Sequence, residues 1–231
     1  GSSGPNIQTG VHNIRSTIEF VNQRSLPGAL LSFDLSKAFD RCFIPFVCKV
    51  MKRMNFPDKF INIVRDMHAD ITTCFILNGL SPEINLTFSI RQGDPIAMPL
   101  FTMYMEPFLV NLSPVCSGIR VGEVEEVDEP YADDVELLVE KEEDFVMINN
   151  LFKTFEAASG AVLSRSEKSK VMGIGSWSER KDWPLVWLQP VKKMKVFGFI
   201  ICQDYDKTLK ENWSDSLKSF RKVLLSFDMR S

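Results

Sequence analysis

The sequence has little of the residues that build metal clusters, disulfide frameworks or membrane spans. It contains two histidines and five cysteines among 231 residues, with no Cys-x-x-Cys pair, so neither a zinc site nor a disulfide framework is indicated. It has no apolar run of membrane-spanning length and no signal peptide at its start. We therefore expect an intracellular protein of the nucleus, the cytoplasm or both, without a membrane partner.

An excess of positive charge is also missing. The net charge is −3 and the isoelectric point is about 5.6. Nucleic-acid-binding domains usually carry a basic contact face, so this balance argues mildly against that class, although the distribution of charge matters more than its sum. The apolar fraction of 45% and the length fit one sizeable globular domain or two small ones.

One tetrapeptide, Tyr131-Ala132-Asp133-Asp134, stands out among the acidic residues. Adjacent carboxylates repel each other, so holding two of them close together costs free energy. The following residues, 135–139, are mostly aliphatic and predict a strand, which places the pair at a hairpin tip with one aspartate on each face. Such a tip suits a divalent cation, while an ordinary solvated turn is the alternative reading.

Two further stretches accompany the tetrapeptide. Residues 30–35 form an apolar run that carries a single carboxylate, Asp34, and are followed by Ser-Lys-Ala-Phe-Asp at 36–40. Residues 91–95 read Arg-Gln-Gly-Asp-Pro. In this order and spacing, the three blocks resemble motifs A, B and C of reverse transcriptases. The sequences of these motifs are most similar to those of the LINE-type (non-long-terminal-repeat) retrotransposon enzymes.

The resemblance implies an RNA-directed DNA polymerase domain that extends a DNA primer on an RNA template with deoxynucleoside triphosphates. It also implies that the parent protein carries further fingers and thumb segments and an endonuclease. A truncated or co-opted module that binds nucleic acid or protein without catalysis is the alternative. The implied fold is α+β: a polymerase palm with an antiparallel sheet of the split βαβ type, helices packed on one face, and partial fingers.

The resemblance further implies a site for two Mg²⁺ ions. Its ligands would be the carboxylates of Asp34, Asp133 and Asp134, with the backbone carbonyl of Leu35 completing the shell. Mg²⁺ prefers hard oxygen ligands and keeps several waters, so a few carboxylates suffice. A buried acid paired with a base is the alternative role for Asp34.

Other positions acquire expected roles from the same motifs. Phe39 would exclude a ribose 2′-hydroxyl, with plain core packing as the alternative. Gln92 and Gly93 would contact the incoming nucleotide, because an amide both donates and accepts and glycine lets the backbone approach closely. Arg91 would meet either a phosphate or Asp94.

Two more expectations concern the later part of the chain. Lys168 is a candidate general acid for the pyrophosphate, although it lies one residue beyond the family's lysine position, where Glu167 stands. A solvated surface base is the alternative role. Phe197-Gly198 resembles the primer grip of motif E.

Periodicity and breakers predict the elements. Helices are expected at 9–23, from after 41 to 54, at 57–68, after motif B, at 142–159 with Gly160 as the C-terminal cap, and at 207–227. Strands are expected at 29–35, 71–78, 84–90, 115–121, 135–139 and 194–201, with short edge strands at 162–163 and 171–172. In the helix at 57–68 we expect a buried stripe of Phe60, Ile63, Val64 and Met67. Pro99 is compatible with the motif B helix if that helix begins after Pro95.

These elements divide the chain into four expected regions. Residues 1–8 resemble a tag or a ragged end, and 9–28 form a partial fingers helix. Residues 29–201 form the palm, with a fingers-type insert at about 42–90. Residues 202–231 begin the connection to the thumb.

Overall fold

The computed structural model describes most of the chain. The described residues are 7–69, 71–76, 79–85, 90, 93–116, 118–121, 124–126, 128–131, 134–165 and 168–228. For 7–8, 120–121, 124–126, 128–131, 134 and 222–228, the description covers the backbone only.

Helices and short strands are mixed along the chain. The helices are α1 (Ile7–Arg24), α2 (Ile44–Arg53), α3 (Asp58–Met67), α4 (Ala97–Leu112), α5 (Glu142–Ser159) and α6 (Tyr205–Asp228). The strands are β1 (Pro27–Asp34), β2 (Thr72–Thr73), β3 (Ile84–Asn85), β4 (Ile119–Val121), β5 (Val124–Glu126), β6 (Asp128–Tyr131), β7 (Asp134–Val139), β8 (Lys170–Gly175), β9 (Gln189–Pro190), β10 (Lys193–Val196) and β11 (Phe199–Cys202). Among the described helices, none is long and apolar enough to cross a membrane.

In the part of the chain that the structure describes, the main sheet has five strands in the order β6-β7-β1-β8-β9. β1 and β8 pair antiparallel, from Pro27 opposite Gly175 to Ser32 opposite Lys170, and β6 and β7 form an antiparallel hairpin. β8 and β9 pair in parallel. The α+β class with an antiparallel-dominated sheet is therefore confirmed.

The chain forms two compact units. The first unit consists of Gly1–Phe33, Ser117–Phe145 and Arg165–Ser231, and the second consists of Asp34–Cys116 and Val146–Ser164. Because α5 crosses the boundary, its first turn belongs to the first unit and the remainder to the second.

The core of the first unit contains an aliphatic cluster. The helical spacing of α1 places its apolar residues on one face, and that face packs against β8 and the β10–β11 hairpin. The buried members are Val11, Ile14, Ile18, Val21, Leu30, Ile119, Leu138, Met172, Ile174, Met194, Val196 and Ile201.

The core of the second unit contains an aromatic cluster. Phe108 stacks near Phe152 with ring centroids 4.4 Å apart, and Tyr104 meets Phe155 at 5.4 Å. The Tyr104 hydroxyl donates to the Ser159 carbonyl at 3.3 Å. Edge-to-face and offset aromatic pairs contribute beyond their buried area, so this cluster holds α4 against the second part of α5.

Several predicted details are wrong. In α3 the predicted stripe is largely exposed, since Phe60, Ile63 and Met67 are 45%, 46% and 49% exposed; only Val64 of that stripe is buried, together with Ile61. The strand at 171–172 belongs to β8, which lies inside the sheet between β1 and β9 rather than at an edge.

Two predicted long strands are shorter or divided. The expected strand at 194–201 is a hairpin, because Phe197 and Gly198 adopt positive φ angles of 49° and 87° and turn the chain between β10 and β11. The expected 71–78 and 84–90 pair is reduced to the short ladder of β2 and β3 among the described residues, with Leu77, Asn78 and 86–89 outside the description.

The motif B helix begins where its prolines permit. α4 starts at Ala97, after Pro95, so Pro99 lies in its first turn, where the missing N–H has no cost. Pro107 lies inside the helix. The Asp94 side chain accepts a hydrogen bond from the Ile96 N–H at 3.1 Å, and its carbonyl accepts one from Ala97 at 2.9 Å, which fixes the start of the helix.

Alkaline pH is expected to destabilise the second unit. Burial raises the pKa of the Cys42 thiol from 9.0 to about 12 and the pKa of the Tyr104 phenol from 10.0 to about 12. The unfolded chain therefore releases these protons first, and stability is complete below the unfolded pKa values and falls as the pH rises toward 12. The expected slope is about 1.4 kcal/mol per pH unit for each group.

Urea unfolding between pH 8 and 12 measures this effect. Cys42→Ala and Tyr104→Phe should each flatten the pH dependence, and Cys74→Ala, at an exposed cysteine, is the control. An unchanged slope in both core variants would contradict the assignment.

Gly173 is expected to tolerate no side chain. A Cβ there would overlap the Trp177 carbonyl oxygen, which is backbone and cannot move aside without shifting the loop after β8. Gly173→Ala should cost about 3 kcal/mol or more of unfolding free energy. Gly28→Ala is the matched control, since its Cβ would meet the Ile174 side chain at 3.0 Å. Equal losses in the two variants by chemical denaturation would refute this prediction.

Candidate functional site

The backbone around Asp34 is fixed from both sides of the residue. Asp34 ends β1, and its carbonyl accepts a hydrogen bond from the Ser164 N–H at 2.8 Å. The Ser36 N–H donates to the Val162 carbonyl, also at 2.8 Å, so that Leu35 forms an isolated antiparallel bridge with Leu163. Neither of these two bonds uses the Leu35 carbonyl. The hydrogen bonds on both sides therefore fix the backbone that carries the motif A carboxylate, Asp34.

The first and last residues of the tetrapeptide belong to the two strands of a hairpin. β6 and β7 pair antiparallel up to Tyr131 opposite Asp134. Ala132 and Asp133 lie outside the described residues, as does the side chain of Asp134. Strand β7, which Asp134 begins, is the neighbour of β1 in the sheet.

Sequence reasoning missed a buried carboxylate in this part of the sheet. Glu136 is 2% exposed and accepts a hydrogen bond from the Ser32 hydroxyl at 3.1 Å. A polar contact of this kind satisfies groups that would otherwise be costly to bury. An acid in the middle of an aliphatic strand was the available signal in the sequence. Ser32 lies two residues before Asp34, and Glu136 two residues after Asp134, so the bond joins the strands that carry both aspartates.

Phe39 lies in the second unit and is half-buried. Its ring stacks on Phe101 at a centroid distance of 4.6 Å, and its carbonyl accepts a hydrogen bond from the Ile90 N–H at 3.0 Å. Phe101 is itself buried. One side of the Phe39 ring thus packs against the core, and the choice between the gate role and plain core packing stays a prediction.

Gly93 has room around it. Its φ is +90°, a conformation that favours glycine, and a Cβ built there would meet no atom of the described residues within 4 Å. Backbone at this position is therefore accessible to a ligand. Arg91 and Gln92, the other expected nucleotide-binding residues, lie outside the described residues, and the choice between a phosphate and Asp94 for Arg91 stays open.

Aromatic and basic residues meet near the motif D segment. Arg165 lies over the Trp187 ring at 5.7 Å, and Trp187 packs beside Phe33 at a centroid distance of 6.1 Å. Lys168 is exposed, and Glu167 lies outside the description. Both expected roles of Lys168 remain predictions, as does the primer-grip role of the Phe197-Gly198 turn.

The metal ligands remain a prediction as a set. Among the described residues, no three His, Cys, Asp or Glu side chains lie together in a group that could hold a metal ion. The expected set includes Asp133 and the Asp134 carboxylate, and both lie outside the described residues. The donors that the sequence offers are all oxygens, which is the chemistry that suits Mg²⁺.

The sheet and the hairpin that carries the tetrapeptide define the palm of a nucleic-acid polymerase. Residues 3–201 match the family described as reverse transcriptase (RNA-dependent DNA polymerase). The chain therefore belongs to the reverse transcriptase family.

Two curated relatives identify a LINE-type domain. The chain is 29% identical over 173 residues to the transposon TX1 uncharacterized 149 kDa protein of Xenopus laevis, which covers 73% of this chain and 13% of that protein. It is 23% identical over 137 residues to the retrovirus-related Pol polyprotein from type-1 retrotransposable element R2 of Popillia japonica, covering 57% of this chain and 23% of the relative. The chain thus spans less than a quarter of either relative.

Solved telomerase structures share the fold. The telomerase of Candida tropicalis, in complex with a TWJ fragment of telomeric RNA, superposes with a TM-score of 0.61 at 12% identity, covering 88% of this chain and 32% of that one. The corresponding Candida albicans structure gives a TM-score of 0.55 at 10% identity, with coverages of 87% and 33%. At these identities, the likeness concerns the fold.

Proposed function

We propose that this domain is an RNA-directed DNA polymerase that extends a DNA primer on an RNA template by nucleotidyl transfer with two Mg²⁺ ions. One observation carries the proposal. Asp34 ends β1 and Asp134 begins β7, and these strands are neighbours in one sheet. The Ser32–Glu136 hydrogen bond supports it, since it joins the same two strands.

The proposed metal ligands are Asp34, Asp133, Asp134 and the Leu35 carbonyl. Mg²⁺ held there would activate the primer 3′-hydroxyl and neutralise the departing pyrophosphate. The chain's own contribution is positional. The Ser164 N–H holds the Asp34 backbone, and the bridge beside it leaves the Leu35 carbonyl out of its hydrogen bonds.

The proposed nucleotide site combines steric exclusion with polar contact. The Phe39 ring, held on its other side by Phe101, would exclude a 2′-hydroxyl. Arg91, Gln92 and Gly93 would bind the incoming deoxynucleoside triphosphate, and Lys168 would donate a proton to the pyrophosphate. The turn at Phe197-Gly198 would hold the primer strand near its 3′ end.

We propose the division of the chain that the sequence predicts. Residues 9–28 would be a fingers helix, 29–201 the palm with its insert at about 42–90, and 202–231 the start of a thumb. We further propose that the parent protein carries endonuclease, fingers and thumb segments. It would act inside the cell, in the nucleus or the cytoplasm, a proposal that rests on the cysteine usage.

A second candidate is a module that binds nucleic acid or protein without catalysis. The observation that favours it is charge: the chain carries 30 acidic against 27 basic residues, and Glu167 stands where the family has its lysine. Such a module would keep the fold and lose nucleotide addition.

Primer extension distinguishes the two candidates. A labelled DNA primer on an RNA template is incubated with the chain, deoxynucleotides and Mg²⁺, beside the Asp133→Asn variant and a reaction with chelator. Extension by the parent alone, dependent on Mg²⁺, is the expected result. The absence of extension, together with no rise in melting temperature on adding Mg²⁺, would favour the second candidate.

A further inference from the structure

Side chains from the first two turns of α6 form hydrogen bonds with the edge of β11 that faces away from β10. The Asn212 amide donates to the Ile200 carbonyl at 2.7 Å and accepts from the Ile200 N–H at 2.9 Å. The Thr208 hydroxyl accepts from the Cys202 N–H at 3.0 Å. Two side chains spaced one helical turn apart thus meet two backbone positions spaced by two along the strand.

This arrangement completes the hydrogen bonding of a short sheet. β11 pairs with β10 on its other edge, from Lys193 opposite Cys202 to Val196 opposite Phe199. An open strand edge leaves peptide groups that require partners. The asparagine amide carries a donor and an acceptor like a peptide group, so side chains of α6 take the place of a third strand. Thr208 is 4% exposed, and its contact is therefore dry.

The corner between β11 and α6 is anchored independently. Gln203 donates from its side chain to the Gly173 carbonyl at 2.7 Å and to the Ser178 carbonyl at 2.8 Å. The Asn22 side chain donates to the Gln203 carbonyl at 2.8 Å and accepts from the Gly175 N–H at 2.7 Å. The corner is thus tied to both α1 and β8, and α6 leaves a fixed base.

We propose that Thr208 and Asn212 are positioning residues for the primer–template duplex. They fix the direction in which α6 leaves the β10–β11 hairpin, whose turn is Phe197-Gly198. The turn and the helix then meet the recessed primer end as one rigid piece. This inference rests on the proposed function, because it assumes that the turn holds the primer.

The test compares variants that remove the bonds with variants that keep them. Thr208→Val and Asn212→Leu remove the hydrogen-bonding groups at similar volume, and Thr208→Ser keeps the hydroxyl. Thr154→Val and Asn111→Leu are matched controls, since each of those side chains donates to the carbonyl one turn back in its own helix, at Asn150 in α5 and at Pro107 in α4.

Three quantities are measured on the full chain. They are the dissociation constant for a recessed DNA-primer/RNA-template duplex by fluorescence anisotropy, the KM values for that duplex and for deoxynucleotide, and hydrogen exchange at the Ile200 and Cys202 amides. Loss of a bond should accelerate exchange at its own amide and weaken duplex binding by about tenfold, as expected for buried hydrogen-bond partners. The KM for deoxynucleotide should stay near the parent value in every variant. Thr208→Ser and both controls should also keep the parent's duplex affinity and duplex KM.

The outcomes separate this inference from the function on which it rests. A parent that neither binds the duplex nor extends it contradicts the proposed function, and the inference with it. A parent that does both, while Thr208→Val and Asn212→Leu match it in duplex KM, overturns the inference alone. An equal rise in both KM values, or an equal loss in the controls, also overturns it, because the role would then be stability alone.

Discussion

Replacing Asp34 by asparagine is expected to lower RNA-templated primer extension on the order of 10³-fold, because a few kcal/mol of metal-borne charge stabilisation would be lost. The amide keeps the size of the carboxylate and removes its charge, so the proposed Mg²⁺ site would lose a ligand while the end of β1 keeps its shape. The Ser164–Asp34 backbone bond is unaffected by this change. Single-turnover extension and the Mg²⁺-dependent melting shift are the measurements.

Asp66→Asn is the control for this experiment. Asp66 is exposed on α3 and has no expected role at the site, so its variant should keep both the extension rate and the melting shift. Extension by Asp34→Asn within a few fold of the parent would remove Asp34 from the proposed metal site. Loss of activity in both variants would indicate unfolding rather than chemistry.

Replacing Phe39 by valine is expected to relax the choice of sugar. A smaller side chain leaves space for a 2′-hydroxyl, and incorporation of ribonucleotides relative to deoxynucleotides should rise by about 10- to 100-fold, the range typical of a shape-based pocket. The lost stack on Phe101 should also cost about 2 kcal/mol of unfolding free energy. Competitive incorporation with paired nucleotides measures the first effect, and urea unfolding the second.

Phe46→Val separates the two effects. Phe46 is also half-buried in aromatic contacts, with its ring 5.7 Å from Tyr104 and 6.0 Å from Phe155. Its variant should lose similar stability and keep the parent's sugar preference. If Phe39→Val lost stability alone, the ring would be a core residue and the gate assignment would be wrong.

Local chemistry in the sequence was enough to predict several elements. α5 begins at Glu142 and ends at Ser159 as expected, and Gly160 follows with φ of 77° and an N–H that donates to the Glu156 carbonyl at 3.0 Å. Glycine adopts this conformation at low cost and so ends the helix. The strand that carries Asp34 and the hairpin at Tyr131 were likewise predicted, the strand at 29–35 against the observed Pro27–Asp34, since period and turn signals lie within each segment.

Features that depend on distant partners were not predicted. The periodicity of α3 indicates a helix, yet Ile61 and Val64 are its buried residues, and the face that packs is decided by its neighbours. Ser32 and Glu136 are 104 residues apart in the sequence. The Asn212 side chain forms hydrogen bonds with the backbone of β11, a strand that exists because the Phe197-Gly198 turn divides one expected strand into two.

The proposed metal site is tested most directly by anomalous diffraction from crystals of the chain with a primer–template duplex, a non-hydrolysable deoxynucleotide and Mn²⁺ in place of Mg²⁺. We predict two Mn²⁺ peaks, roughly 4 Å apart as in two-metal sites, bounded by the carboxylates of Asp34 and Asp133. A bound duplex and nucleotide with no Mn²⁺ at either aspartate would contradict the proposed mechanism.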